Sequence, residues 1–290
     1  MNSKRKHIEI DLLTLISVSI VAWSLTNILH EIVGHAGSAA LLGIPVRAVS
    51  TTTMYLDGAQ AVTVVENRII HAAGSVMNLL TGIVALLFLR SPKITHSAIR
   101  YFLWLFSTVS FIIVTLNLIS TPLIGAGDWT IFIQGFERKQ LWLSMIIGVG
   151  VVLAIPGYIL PLHFWMPNLR ENKKLRLKIT VIPVITMIAV QTLSLISSPF
   201  SRLPPEQNHL LASVFLFLHF ILWAILVNII PMPHSRNPIE SIRLPRSKLF
   251  LGLGLVMAFI FIAVLGPGLG PLEEDPRLGT WNWLPHTRCI

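Results

Sequence analysis

The segment IDLLTLISVSIVAWSLTNILHEIVGHAGSAALL, residues 10–42, is a long apolar run that carries two histidines and a glutamate in its second half. A helix of about 20 apolar residues crosses the ~30 Å hydrocarbon core of a bilayer, so this run is long enough to span a membrane. Ionisable side chains inside such a helix are costly unless they are paired or bind something. The segment therefore predicts a membrane helix in which His30, Glu31 and His35 have a functional role.

The composition of the whole chain also indicates a membrane protein. Of its 290 residues, 53% are hydrophobic and only 12% are charged, whereas soluble domains carry about 25% charged residues. We expect an all-α polytopic membrane protein with about seven transmembrane helices. The predicted helices cover residues 10–42, 69–90, 100–121, 141–163, 179–198, 208–230 and 249–267. Residues 46–68, with β-branched residues around Leu56-Asp57-Gly58, predict a short β-hairpin-like insertion after the first helix.

The distribution of basic residues predicts an orientation. With seven spans, fifteen of the 22 Lys and Arg residues fall on the side of the N-terminus and seven on the other side. The positive-inside rule then predicts a cytoplasmic N-terminus and an external C-terminus, in a plasma membrane of bacterial type. Because the net charge of +9 lies in connections between apolar spans, we expect contact with membrane lipid and not with nucleic acid. The sequence leaves the oligomeric state open.

The spacing of the two histidines indicates a metal site with an unusual helix. In the common H-E-x-x-H zinc motif the histidines are four residues apart and the glutamate activates water. His30 and His35 are five apart, which separates them by about 140° on a regular α-helix. A one-residue π-bulge near Val33-Gly34 brings them onto one face. The alternative is that Glu31 and His35 are the ligands and His30 supports them.

The third ligand is expected from the segment LNLISTPLIGAGDW, residues 116–129. Pro122 and Gly127 break the helix there and can turn the carboxylate of Asp128 back toward the first span. The alternative role for Asp128 is a helix N-cap. His71 is a further candidate, either as a third ligand or as a group that orients the zinc-bound water, although an interfacial histidine with no metal role is the more common case.

Three segments resemble the site-2 protease family of intramembrane zinc metalloproteases. HEIVGHAGSAALLGIPV is similar to the family's H-E-x-G-H-A motif, and its H-E-x-x-G-H spacing also looks like that of the soluble zinc enzyme dipeptidyl peptidase III. AAGSVMNLL, residues 72–80, is similar to an A-G-P-x-x-N helix, with Ser75 in place of proline. The segment around Asp128 is similar to an N-x-x-P-x-x-x-L-D-G loop, but here Gly127 precedes the aspartate and Trp129 follows it.

The resemblance implies a residue-by-residue assignment. It implies Zn²⁺ bound by His30, His35 and Asp128, with Glu31 as the general base. It also implies that Asn78 and Asn117 bind substrate backbone or steady the site, although Asn78 can equally hydrogen-bond between helices.

The resemblance also implies a division of the chain and a reaction. A site-2 protease-like core at residues 1–165, with about four spans, is followed by a C-terminal bundle at residues 166–290, with about three spans and a short tail. The expected activity is hydrolysis of a peptide bond in a membrane-embedded or membrane-adjacent protein or peptide. The alternative is a non-proteolytic membrane protein that binds metal for sensing, transport or structure.

Overall fold

The computed structural model describes residues 10–56, 62–165, 173–197, 209–229 and 244–270. Within them the chain is mostly helical and has one antiparallel two-stranded sheet. The α-helices, numbered α1 to α9, are Leu12–Ile28, Gly37–Leu41, Val64–Arg90, Ser97–Ile124, Asp128–Phe132, Lys139–Trp165, Lys173–Ser197, His209–Ile229 and Lys248–Phe259. The strands are β1, Val46–Val49, and β2, Met54–Leu56, and the two π segments are Leu29–Ala36 and Ile260–Val264.

Five of the described helices are long and apolar enough to cross a membrane. They are Leu12–Leu41, Val64–Arg90, Ser97–Ile124, Lys139–Gly157 and Lys173–Ser197. Two further apolar helices are shorter in the described part of the chain, Leu216–Ile229 and Lys248–Val264. The predicted helical fold with a hairpin after the first span is confirmed, and these five helices fit the predicted membrane protein.

The first long helix contains the predicted π distortion. α1, the first π segment and α2 form one continuous helix of 30 residues, Leu12–Leu41. The π segment, Leu29–Ala36, includes both histidines and the Val33-Gly34 step. The prediction that the helix accommodates one extra residue between the histidines is therefore confirmed.

The connection between the first two spans differs from the sequence prediction. β1 and β2 pair from Val46 with Leu56 to Val49 with Met54, and their turn is closed by a Ser50 N–H to Thr53 carbonyl bond of 2.8 Å. The turn thus precedes Leu56, whereas Asp57 and Gly58 of the predicted break lie outside the described residues. α3 begins at Val64, five residues before the predicted start at 69, because Thr63 and Glu66 form a capping box.

Close contacts show that the first helix and α3, and likewise α4 and α6, run antiparallel. His35 contacts Ile70 and His30 contacts Asn78, in reverse order along the first pair. Gly34, in the second half of the first helix, lies against Gly74 near the start of α3. Gly150 and Gly157 of α6 lie against Ile119 and Phe111 of α4, in reverse order along the two helices.

The chain on both sides of residue 165 shares one hydrophobic core. A single cluster of buried side chains draws on α1, α3 and α4 and also on α7, α8 and α9. At one end of this bundle, Lys178 Nζ donates to the Ile10 carbonyl and Leu244 pairs with Ile10. At the other end, Leu269 pairs with Val49 of β1. The division into a core and a C-terminal bundle stays a prediction.

Candidate metal centre

The π segment brings the two histidines onto one face of the first helix. His30 Nε2 lies 3.1 Å from His35 Nε2, and their rings meet edge to face at an interplanar angle of 89°. Both residues are buried, with 6% and 4% of their surface exposed. A wider helical turn in this segment aligns residues five apart, which a regular α-helix separates.

Asp128 is turned back toward the histidines by two glycines at the end of α4. Pro122 lies inside α4, so the predicted break at this proline is wrong. Gly125 ends α4 in the left-handed region, and Gly127 has a φ of 87°. Asp128 is the first residue of α5, and Gly127 is its N-cap, so the side chain of Asp128 is not the cap. Instead, Asp128 Oδ2 lies 3.2 Å from His30 Nε2 and 3.3 Å from His35 Nε2.

These three atoms form a triangle whose size fits a zinc ion. Its sides are 3.1, 3.2 and 3.3 Å. Ligands at about 2.0–2.2 Å from a tetrahedral zinc lie about 3.3–3.6 Å from one another, within a few tenths of an ångström of these sides. Two imidazoles and one carboxylate are also one of the donor sets of catalytic zinc sites, which keep a fourth position open. The residues therefore fit zinc both in chemistry and in spacing.

The centre depends on a close approach of two helix backbones. A Cβ atom on Gly34 would lie 2.6 Å from Gly74 Cα, and one on Gly74 would lie 2.5 Å from His35 Nε2. Neither position has space for a side chain, because backbone or ligand atoms fill it. The sequence analysis did not identify this role, although two glycines at matching depths of adjacent apolar helices are a signal for it.

The contacts behind each histidine orient its ring. His35 Nδ1 donates to the Ile70 carbonyl at 2.7 Å, which leaves Nε2 with a free lone pair. The Asn78 amide lies 3.1 Å from His30 Nδ1, and its oxygen is buried without a hydrogen-bond partner among the described residues. Turning the amide over lets that oxygen accept from Nδ1 and frees His30 Nε2 in the same way.

His71 contacts Asp128, and not the Nε2 atoms of His30 and His35. Its Nδ1 donates to Asp128 Oδ1 at 3.2 Å, so the two carboxylate oxygens of Asp128 face different partners. This contact favours an orienting role for His71 over that of a third ligand.

Glu31 faces a cavity beside the three donor atoms. The cavity has a volume of about 280 Å³, and its wall includes His30, Glu31, Asn117 and Thr52. An oxygen of Glu31 lies within 4.8 Å of a ring nitrogen of each of His30 and His35. His30, Glu31 and His35 are thus close enough to hold one metal ion together. The contact of Asp128 Oδ2 with both histidines favours the two-histidine pairing, and Glu31 lines the open space.

Ser75 and Trp129, two of the positions at which the chain differs from the motifs it resembles, contact each other. The indole N–H of Trp129 donates to Ser75 Oγ at 3.1 Å, and Ser75 is buried. This bond joins α3 to the residue next to Asp128. Sequence analysis treated the two substitutions separately and missed their contact.

Arg68 holds the segment that follows α5. Its Nε and Nη2 donate to the carbonyls of Phe132 and Gln134 at 3.1 and 3.0 Å, and the guanidinium lies 3.9 Å from the ring centre of Phe136. These contacts fix the C-terminal end of the short helix that begins at Asp128.

The structure thus brings together all seven residues singled out in the sequence. His30, His35 and Asp128 form the triangle, Glu31 and Asn117 line the cavity, and Asn78 and His71 contact the triangle from behind. Their chemical roles stay predictions. Comparison of the chain with protein-family models, curated proteins and solved structures finds no match.

Proposed function

We propose that this protein is an intramembrane zinc metalloprotease that resembles the site-2 proteases. The observation that carries the proposal is the buried triangle of His30, His35 and Asp128, with the Glu31 carboxylate beside it at a cavity. A buried cluster of this kind needs a bound cation to offset its cost in an apolar helix bundle.

Each residue of the site has a separate role in peptide hydrolysis. When bound by His30, His35 and Asp128, a zinc ion supplies Lewis-acid chemistry that makes water acidic and polarises the scissile carbonyl. Glu31 takes the proton from the attacking water and then delivers it to the leaving nitrogen. Asn78 and His71 hold the ligands in place, and Asn117 hydrogen-bonds the substrate backbone across the cavity.

The proposal includes a substrate in the membrane. The start of β2 and its preceding turn border the cavity through Thr52 and Met54, while β1 is already paired with Leu269 on its other edge. An unwound peptide segment that enters beside this hairpin reaches Glu31. The substrate is therefore a membrane-embedded or membrane-adjacent protein or peptide.

We also propose that the bundle crosses the membrane seven times. The two shorter helices continue the antiparallel order of the five longer ones; they are Leu216–Ile229 and Lys248–Val264. The chain pairs with Ile10 just before α9 begins, and Leu269, which follows α9, pairs with Val49 at the hairpin end of the bundle. The charge count then assigns the N-terminus to the cytoplasm and the metal centre to the outer half of a plasma membrane of bacterial type.

The decisive experiment compares Glu31→Gln with the wild type in liposomes. A panel of transmembrane peptides is added to the zinc-loaded protein, and cleavage products are measured by mass spectrometry. We expect Glu31→Gln to cleave about 10²- to 10⁴-fold more slowly and to retain its zinc. Glu66→Gln is the matched control, since glutamine also completes a capping box.

Other results would select the alternatives. If Glu31→Gln cleaves as fast as the wild type, Glu31 is not the base and the proposal is wrong. If it loses zinc, Glu31 is a ligand and the Glu31–His35 pairing is correct. If the wild type binds zinc but cleaves no peptide of the panel, the non-proteolytic metal-binding protein is the better description.

A further inference from the structure

A second cavity, the inner cavity, adjoins the metal centre on the side of Glu31 that faces Gln191 and Leu216. Its volume is about 140 Å³, and it lies between α1, α4, α7 and α8. It shares His30, Glu31, Thr52 and Asn117 with the larger cavity. The two cavities therefore meet at the general base, so an occupant of the inner one lies next to the reacting bond.

Three carboxamide side chains line this inner cavity, and Trp23 fixes the orientation of two of them, Gln191 and Asn27. The Trp23 indole N–H donates to Gln191 Oε1 at 3.1 Å. The Asn27 Nδ2 group donates to the Trp23 carbonyl at 2.9 Å. An indole N–H only donates and a carbonyl only accepts, so neither amide can be turned over without losing its bond.

This arrangement leaves one donor and one acceptor with no partner in the described chain. Gln191 is 1% exposed, and its Nε2 group has no hydrogen-bond partner among the described residues. Asn27 likewise keeps a free Oδ1. Gln191 is buried, whereas Asn27 is half-buried. A buried polar group without a partner is costly, so the Gln191 amide indicates an occupant that accepts from it, and Asn27 lies where the same occupant can donate to its oxygen.

We propose that the inner cavity is the specificity pocket of the protease, which selects an uncharged side chain that both donates and accepts hydrogen bonds. A carboxamide, as in asparagine or glutamine, can accept from Gln191 and donate to Asn27 through two separate groups. A hydroxyl can also do both and is the smaller group. The cavity is several times larger than the ~30 Å³ share of a water molecule in the liquid, so it has room for a small side chain. The proposal rests on the proteolytic function above.

A polar residue beside the cleaved bond also suits a membrane substrate. Asparagine and serine compete with the backbone for hydrogen bonds and so weaken a helix locally. A residue that fills the pocket thereby helps to unwind the segment to be cut. Among the described residues that line the inner cavity, Glu31 and His30 carry the ionisable groups. Within the described part of the chain, its lining contains no lysine or arginine to attract an acidic side chain.

The test uses two probes that differ in one isosteric side chain. Short peptide hydroxamates carry asparagine or leucine next to the zinc-binding group, and their Kd values are measured on zinc-loaded Glu31→Gln protein, in which turnover is removed. The same two residues are placed at the cleavage site of a transmembrane peptide for assay with Glu31 intact. We expect the asparagine form to be preferred about tenfold in both assays.

Variants of the pocket assign the preference to named groups. Gln191→Leu and Asn27→Leu are each expected to remove most of the preference, whereas Thr186→Val, a buried polar residue elsewhere on α7, is expected to keep it. Equal Kd values for the two hydroxamates would overturn the pocket while the protease stands. If Gln191→Leu cleaves the asparagine and leucine peptides more slowly by the same factor, the preference is unchanged, and the cavity holds water and not a substrate side chain. Binding of neither hydroxamate would overturn the protease proposal as well.

Discussion

The two π segments of the described chain have the same backbone distortion in different surroundings. Leu29–Ala36 carries two histidines and a glutamate, all buried, whereas Ile260–Val264 has the apolar sequence IFIAV. In the second segment the Ile262 carbonyl accepts a hydrogen bond from Ser197 Oγ at 2.8 Å, and the chain then continues to Leu269 beside β1.

The comparison shows that a π distortion is not itself a functional site. In the second segment the wider turn changes how α9 ends and packs. In the first it aligns His30 with His35, and the third donor comes from a different helix. The side chains that the distortion brings together decide its role, so alignment of the histidines and distortion of the helix have separate consequences.

The largest effect is expected where the first π segment meets α3. Gly74→Ala places a methyl group 2.5 Å from His35 Nε2, so either the ring or the helix must move. We expect loss of stoichiometric zinc binding and a destabilisation of about 1–3 kcal/mol. Metal analysis and thermal unfolding in detergent measure the two effects. Gly252→Ala, with open space around it, is the control, and zinc retention in Gly74→Ala would show that the ligands are elsewhere.

Removing a group that orients a ligand is expected to have a smaller effect. Asn78→Leu leaves His30 Nδ1 without its partner, and His71→Phe does the same to Asp128 Oδ1. Each substitution should weaken zinc affinity about 10- to 100-fold, as measured by competition with a chelator. Thr81→Val, one turn further along α3, should leave the affinity unchanged. An unchanged affinity in Asn78→Leu and His71→Phe would mean that these contacts do not serve the metal.

The Ser75–Trp129 bond predicts a coupled effect. Ser75→Ala and Trp129→Phe each remove the bond and should raise the zinc Kd about 3- to 10-fold. The double variant should be no weaker than the single ones, since the same bond is lost. Strictly additive effects would show that the two residues act independently on Asp128.

The smallest effect is expected from a deletion. Removing Val33 converts H-E-I-V-G-H to H-E-I-G-H, in which the histidines are four residues apart on a regular helix. We expect zinc affinity within about tenfold of the wild type, because the deletion removes the extra residue and the distortion together. Deleting Val18 from the regular part of α1 rotates all later residues by about 100° and should abolish the site. If both deletions abolish it, the π segment is required for more than alignment.

The sequence was sufficient to predict the parts of the structure that depend on local pattern. Long apolar runs predicted the helices, and the five-residue spacing of His30 and His35 predicted the π distortion. The early start of α3 was also readable from Thr63 and Glu66, but the β-branched residues there suggested a strand.

Contacts between distant segments were not predictable in the same way. The bond from Trp129 to Ser75 and the orientation of Gln191 by Trp23 depend on how helices pack, which one sequence does not state. Gln191 was nevertheless detectable as an amide in an apolar helix. The same reasoning identified Asn78 and should have been applied to the later helices.

The central claim is that His30, His35 and Asp128 bind one zinc ion, and metal analysis of the purified protein tests it directly. The wild type should contain about one zinc per chain, and His30→Ala, His35→Ala and Asp128→Ala should each lose it while keeping their helical circular dichroism. Loss with His35→Ala and Asp128→Ala but not with His30→Ala would contradict the ligand set. A well-folded wild type that binds no zinc at all would contradict the account as a whole.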